Sequence, residues 1–164
     1  MASMKVPKLF NGPVEVGLRS LAVLLEAYPE GLDLQRLVTL DYLVIHSGDV
    51  PGGPRSLHPP SPLRAGEVAV RRGLIEAGLH LYASHGLVSR ALGSDGIQYV
   101  ADDAVASFMD AMRSEYVGKL RERAEWAFAT FGSLHDRELE QVLSASMGRW
   151  RTEFAFLDGE DERI

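Results

Sequence analysis

Between Gly48 and Arg64 the chain reads GDVPGGPRSLHPPSPLR, and these 17 residues hold five of its eight prolines. Proline lacks a backbone N–H and fixes φ, so this run is excluded from helix interiors and from central strands. It lies between two apolar helical patterns, where a DNA-reading helix-turn-helix has only about three or four residues. Loops of this length inside a compact domain are either functional or disordered. The fold must therefore accommodate a long irregular insertion between its second and third helices.

Ahead of the insertion, Val14, Leu18, Leu21, Leu25 and Tyr28 recur at spacings of three and four. This predicts a helix with Asn11 as its cap and Pro13 in its first turn, ended near Pro29. Asp33 then reads as the cap of a second helix. There Leu34, Leu37, Val38, Leu40, Leu43, Val44 and Ile45 cover so much of the circumference that the element must be largely buried. A third helix is expected from Gly66 to His85, with Arg72, Glu76 and His80 as a polar stripe and Gly86 as a left-handed stop.

Two β-prone runs follow, Leu87 to Leu92 and Ile97 to Ala101, around a Gly93-Ser94-Asp95-Gly96 turn, which is a hairpin by composition. Asp102 or Asp103 caps a further helix carrying Val105, Phe108, Met109 and Met112. Three helices running directly into a hairpin is the order of a winged helix. The expected fold is thus mainly α (α+β): a winged-helix domain over residues 1–112 with an inserted loop at 48–65.

Beyond Arg113 the pattern is purely helical. Tyr116, Val117, Leu120, Ala124, Ala127, Phe128 and Phe131 line one face, Gly132-Ser133 interrupts, and Leu139, Val142, Leu143, Met147, Trp150 and Phe154 line another. This predicts a C-terminal helical hairpin over 113–158, with Asp136 near its second start, and an acidic tail at 159–164. Such a stripe either closes the core of the chain or serves as an association surface.

The net charge is −6, and both parts share it: residues 1–112 carry 9 Lys/Arg against 12 Asp/Glu, and residues 113–164 carry 8 against 11. Nucleic-acid affinity comes chiefly from clustered cations, so an evenly acidic chain is a poor DNA binder by itself. The local exception is 47–72, where Arg55, Arg64, Arg71 and Arg72 outnumber Asp49 and Glu67, and where His58 adds charge at lower pH. The chain has no cysteine, which excludes disulfides and thiolate metal sites and suits the cytoplasm. No apolar stretch is long enough to span a bilayer.

Chemistry-bearing patterns are sparse. His46, His58, His80, His85 and His135 contain no pair at the three- or four-residue spacing of helical metal ligands, and there is no phosphate loop, G-x-S-x-G or cysteine nucleophile. Neither an enzyme nor a cofactor is expected. Asp41 and His46 stand out inside the most apolar helix, where an unpaired polar group costs about 1–3 kcal/mol. Either Asp41 pairs with an arginine of the loop or third helix while His46 caps carbonyls, or the two anchor the loop as a presented surface. Arg72 and Glu76, four apart, are expected to pair on the surface.

The stretches LFNGPVEVGLRSL, LDLQRLVTLDYLVIHSGDVPGG, SLHPPSPLRAGEVAVRRGLIEAGL, GLVSRAL and GIQYVADD together resemble the middle component of bacterial ABC three-component conflict systems. HSGDVPGG and LHP with RAGE are the most specific parts. The resemblance implies a non-enzymatic adaptor between an SMC/Rad50-like ABC ATPase and an effector protein, in anti-phage defence of the Lamassu type, with DNA met only through the complex. It brings no catalytic set to carry over. Partner contacts are expected at Arg55, His58 and Arg64 of the loop and at Trp150 and Phe154 of the hairpin. The contrasting reading is a dimeric winged-helix transcription regulator that uses Arg71, Arg72 and Arg90 on DNA.

Overall fold

In the computed structural model, residues 12–59, 64–94 and 96–146 are described, with 64–69 as backbone only. The chain is mainly helical with one small antiparallel sheet. Helix α1 (Pro13–Ala27) starts from Gly12 in extended conformation, with Pro13 at its first position, so the cap falls one residue after the expected Asn11. Every residue of α1 from Val16 to Leu24 is buried, because the helix is packed against α3, α5 and α2 together.

Helix α2 (Leu34–Ile45) begins at Asp33, whose carboxylate accepts from the Arg36 N–H at 2.7 Å. Its last nine residues, Leu37 to Ile45, are all buried, as its all-round apolar pattern requires. A 3-10 turn, Ser47–Asp49, carries the chain out of it. Helix α3 (Arg64–Ser84) opens two residues before the expected Gly66. It ends at Gly86, which holds φ +74°, a backbone region that favours glycine.

Strands β1 (Val88–Gly93) and β2 (Gly96–Ala101) form the hairpin in the register Val88 to Ala101, Arg90 to Tyr99 and Leu92 to Ile97. An isolated bridge adds Leu32, from between α1 and α2, to Tyr99 of β2. Helix α4 (Val105–Asp110) is only six residues long and is capped at Ala104; Asp102 accepts from the Ala104 N–H at 3.0 Å and so shapes the turn before it. Ser114 caps α5 (Glu115–Phe131), its hydroxyl accepting from the Val117 N–H at 3.2 Å. A further helix, α6, occupies 136–146 at the end of the described residues.

One buried cluster runs from α1 and α2 through Val117, Leu120, Ala124, Ala127 and Phe131 of α5 to Leu139 and Leu143 of α6. The core therefore crosses the boundary expected between residues 112 and 113, and α5 closes it against α1 and α2. Apolar burial of this kind contributes about 25 cal/mol per Å², and α5 directs five of its side chains inward for that purpose. Met147, Trp150 and Phe154, the outer part of the expected association stripe, lie outside the described residues.

Candidate functional site

The polar residues that looked misplaced in the sequence form the centre of the molecule. Asp41 of α2 is 1% exposed. One oxygen accepts from Arg19 Nε of α1 at 2.7 Å, and the other accepts from Arg19 Nη2 at 3.2 Å and from Arg71 Nη1 of α3 at 2.9 Å. Burial pushes the Asp41 carboxyl up, but the two guanidinium groups more than offset this and hold it below the usual carboxylate range. The triad ties three helices together at one point. Arg71 belongs to the expected third-helix pairing; Arg19 is a partner that the sequence reading passed over.

From this triad the network extends to the inserted segment. The Arg71 guanidinium also lies over the Tyr42 ring, 5.6 Å from its centroid, and the Tyr42 hydroxyl donates to Asp49 at 3.1 Å. Tyr42 packs against the His46 ring at 4.9 Å between centroids. His46 is the C-cap of α2; its backbone N–H donates to the Tyr42 carbonyl at 2.9 Å, and its ring lies tilted by 47° against that of Tyr42. Arg19 is also hydrogen-bonded to the Tyr116 hydroxyl of α5, which lies 2.9 Å from His58 Nε2. A guanidinium can only donate, so Tyr116 accepts from Arg19, and its hydroxyl shares a second hydrogen bond with His58 Nε2 whose direction follows the imidazole tautomer.

His58 is held neutral by its surroundings. Burial, together with the Arg19 charge, lowers it to about 4. It is thus a member of the core network and not the source of added surface charge expected from the sequence.

The main chain of the insertion is held as firmly as its side chains. Leu57 and His58 N–H both donate to the Ile45 carbonyl, at 3.0 and 3.2 Å, and Gly53 N–H donates to Val50 at 2.9 Å. The Arg55 carbonyl accepts from Ser47 Oγ at 3.1 Å and from Arg123 Nε of α5 at 2.9 Å, and Ser56 Oγ accepts from Gly48 N–H at 2.9 Å. Val50 and Leu57 pack on the core. The segment 46–58 is therefore a built part of the domain, with the Arg55 side chain on its exposed side.

The remaining sequence candidates fall in different places. Arg71 is 5% exposed and committed to Asp41, so it cannot meet a phosphate. Arg72 is exposed, but it donates to Gln35 Oε1 of α2 at 2.8 Å instead of pairing with Glu76. Arg90 is exposed on β1, away from the triad. Arg64 begins α3 and its side chain lies outside the description, as do Trp150 and Phe154. Among the described residues no group of three or more His, Asp or Glu is placed to hold a metal ion, and no helix is long and apolar enough to cross a membrane.

A second cation missed in the sequence closes the far end of the fold. Arg36 of α2 donates from Nη1 to Asp136 at 2.9 Å and from Nη2 to the carbonyls of Gly132, at 2.9 Å, and Leu134. It thereby caps the α5–α6 turn. What the site offers chemically is rigidity: its buried ionisable groups are joined to one another, and their joint effect is to fix 46–58 against α2 and α5.

Compared with known proteins, the chain matches the sequence model of one family over residues 9–153, described as ABC-three component (ABC-3C) system Middle Component 2. No curated protein and no solved structure matches it.

Proposed function

The chain belongs to the Middle Component 2 family of ABC-three component systems, and from that premise we propose that it is a non-enzymatic adaptor joining an SMC/Rad50-like ABC ATPase to an effector in a prokaryotic anti-phage or anti-invader complex. As a middle component it is an accessory part of a multi-protein ABC system. The finer roles are our reading. The observation that carries it is the anchoring of 46–58: with Ile45, Ser47 and Arg123 holding its main chain, a partner meets a surface already ordered, and little conformational entropy is lost on docking.

We read α1, α2 and α3 followed by the β1–β2 hairpin as a winged helix. The bridge from Leu32 to Tyr99 supports this, since it places a short extended segment between the first and second helices against the hairpin. The use proposed for that fold is gripping protein. A DNA-reading role loses support where Arg71 is sunk in the core and Arg72 is engaged by Gln35, because phosphate contacts need exposed cations.

Co-expression with the ABC ATPase and effector encoded beside it tests the proposal. A stable complex, weakened by Arg55→Glu in a chain that still folds, is the expected result. Nanomolar binding of duplex DNA by the isolated chain at about 150 mM salt, the range of specific DNA readers, would overturn it.

A further inference from the structure

The hairpin has an open edge. In an antiparallel pair, residues alternate between those whose main-chain groups face the partner strand and those whose groups face away. Tyr99 N–H donates to the Leu32 carbonyl at 2.8 Å and the Tyr99 carbonyl accepts from Leu32 N–H at 2.9 Å, so Tyr99 turns its main chain away from β1. Its partner in register is Arg90, which must then turn its own N–H and C=O outward from β2. Val88 and Leu92, two residues to either side, do the same, but Val88 is buried in the core, so the accessible part of the edge is Arg90 and Leu92. Among the described residues no backbone hydrogen bond from outside the hairpin reaches these three positions.

The side chains there add shape and charge. Leu92, 91% exposed, and its cross-strand partner Ile97, 48% exposed, place an apolar pair at the tip of the hairpin. Next along the same face come Arg90 and Tyr99, which border an open groove with Gly73, Glu76, Ala77 and His80 of α3. Small residues at 73 and 77 leave room there for side chains of an added strand. Self-pairing centred on Arg90 fits poorly: β1 laid antiparallel on β1 of a second copy in that register opposes two like charges, which is destabilising.

We propose that β1 is a docking edge for an extended segment of the partner protein, added as a third strand to the sheet, with a carboxylate opposite Arg90 and an apolar residue over Leu92 and Ile97. Such strand addition takes affinity from main-chain hydrogen bonds and specificity from alternate side chains. This rests on the adaptor reading above, but it concerns a surface distinct from 46–58.

The test uses the full chain, the intact ATPase–effector complex, and strand-length peptides tiled across both partner proteins. Leu92→Pro removes an outward N–H while leaving the β1–β2 ladder untouched. Arg90→Glu inverts the charge without altering the backbone, and serves as well should the proline disturb the hairpin. The expected result is that at least one acidic-apolar peptide binds and competes with the complex, and that each variant weakens it about tenfold or more at an unchanged melting temperature. If the intact complex binds both variants as well as it binds the parent chain, the edge proposal is overturned and the adaptor reading stands. If neither complex nor peptides bind the parent chain, both are overturned. Self-association abolished by Leu92→Pro, without peptide binding, would assign the edge to a second copy and also overturn the proposal.

Discussion

Gly17 and Gly78 bring the backbones of α1 and α3 into direct contact: a Cβ on Gly78 would stand 2.7 Å from both the Cα and the N of Gly17. A Cβ on Gly17 would meet the Tyr82 ring at 2.5 Å, whose hydroxyl donates to the Val14 carbonyl at 2.9 Å. The close crossing is what allows Arg19 and Arg71, one on each helix, to reach the same carboxylate.

Gly78→Ala therefore opposes two effects. Alanine improves helix propensity by about 1 kcal/mol, whereas overpacking against backbone that cannot yield costs about 1–3 kcal/mol. Because the atoms met are main chain, overpacking wins, and denaturant unfolding should show a net loss. Gly118→Ala in α5, with nothing within 4 Å of its Cβ, should give a small gain and serves as the control.

Asp41 offers the largest single effect. Removing it leaves Arg19 and Arg71 buried together without their countercharge, and breaking a buried ion pair in this way costs about 3–5 kcal/mol. Asp41→Asn should lower the urea midpoint by a corresponding amount. Replacing all three residues by apolar side chains, with Arg19→Met, Asp41→Leu and Arg71→Met combined, should restore much of the loss. A combined variant no more stable than Asp41→Asn would show that the triad is not the source.

His58 makes stability depend on pH. In the unfolded chain it takes up a proton near pH 6.5, but in the fold only near about 4. Between these values the unfolded state binds more protons, so this contribution is full above pH 6.5 and is lost as pH falls toward 4. Melting temperature should decline through that window, and His58→Gln should flatten the decline. The Asp41 contribution is lost at lower pH, below the ordinary carboxylate range, because its folded carboxyl is held down. The two effects thus separate along the pH axis.

The elements were legible in the sequence wherever local chemistry decides them. Asp33 caps α2 and Gly86 ends α3 as expected, since side-chain caps and left-handed glycines act over a few residues. Contacts between distant elements were legible only in part: the misplaced Asp41 pointed to an arginine of the loop or third helix, and Arg71 fills that place, but not to a second cation. Arg19 sits on a helix chosen for its apolar spacing, and only the requirement of Asp41 for a second cation points to it: it is the one basic residue of α1. Tyr116 reads in the sequence as one more position of an apolar stripe and Tyr42 carries no signal of its own there, yet each ends in a hydroxyl bonded within the network. Proline content excluded helix from the insertion but could not reveal that Ile45 and Arg123 hold its main chain.

Arg36 provides the last prediction, because its bonds are local to one end of the fold. Its guanidinium serves the Gly132 and Leu134 carbonyls and Asp136, so Arg36→Met leaves two carbonyls at the α5–α6 turn without that donor. A lost partner at a part-buried acceptor costs about 1–3 kcal/mol. The effect should be regional: amide exchange in 136–146 should speed up, while α1 and the buried part of α2 keep their protection. Asp136→Ala should do much less, since the Asp136 side chain is 72% exposed and exposed ion pairs contribute about 0–1 kcal/mol. Equal effects from the two variants would mean that the ion pair, and not the capped carbonyls, holds α6 in place.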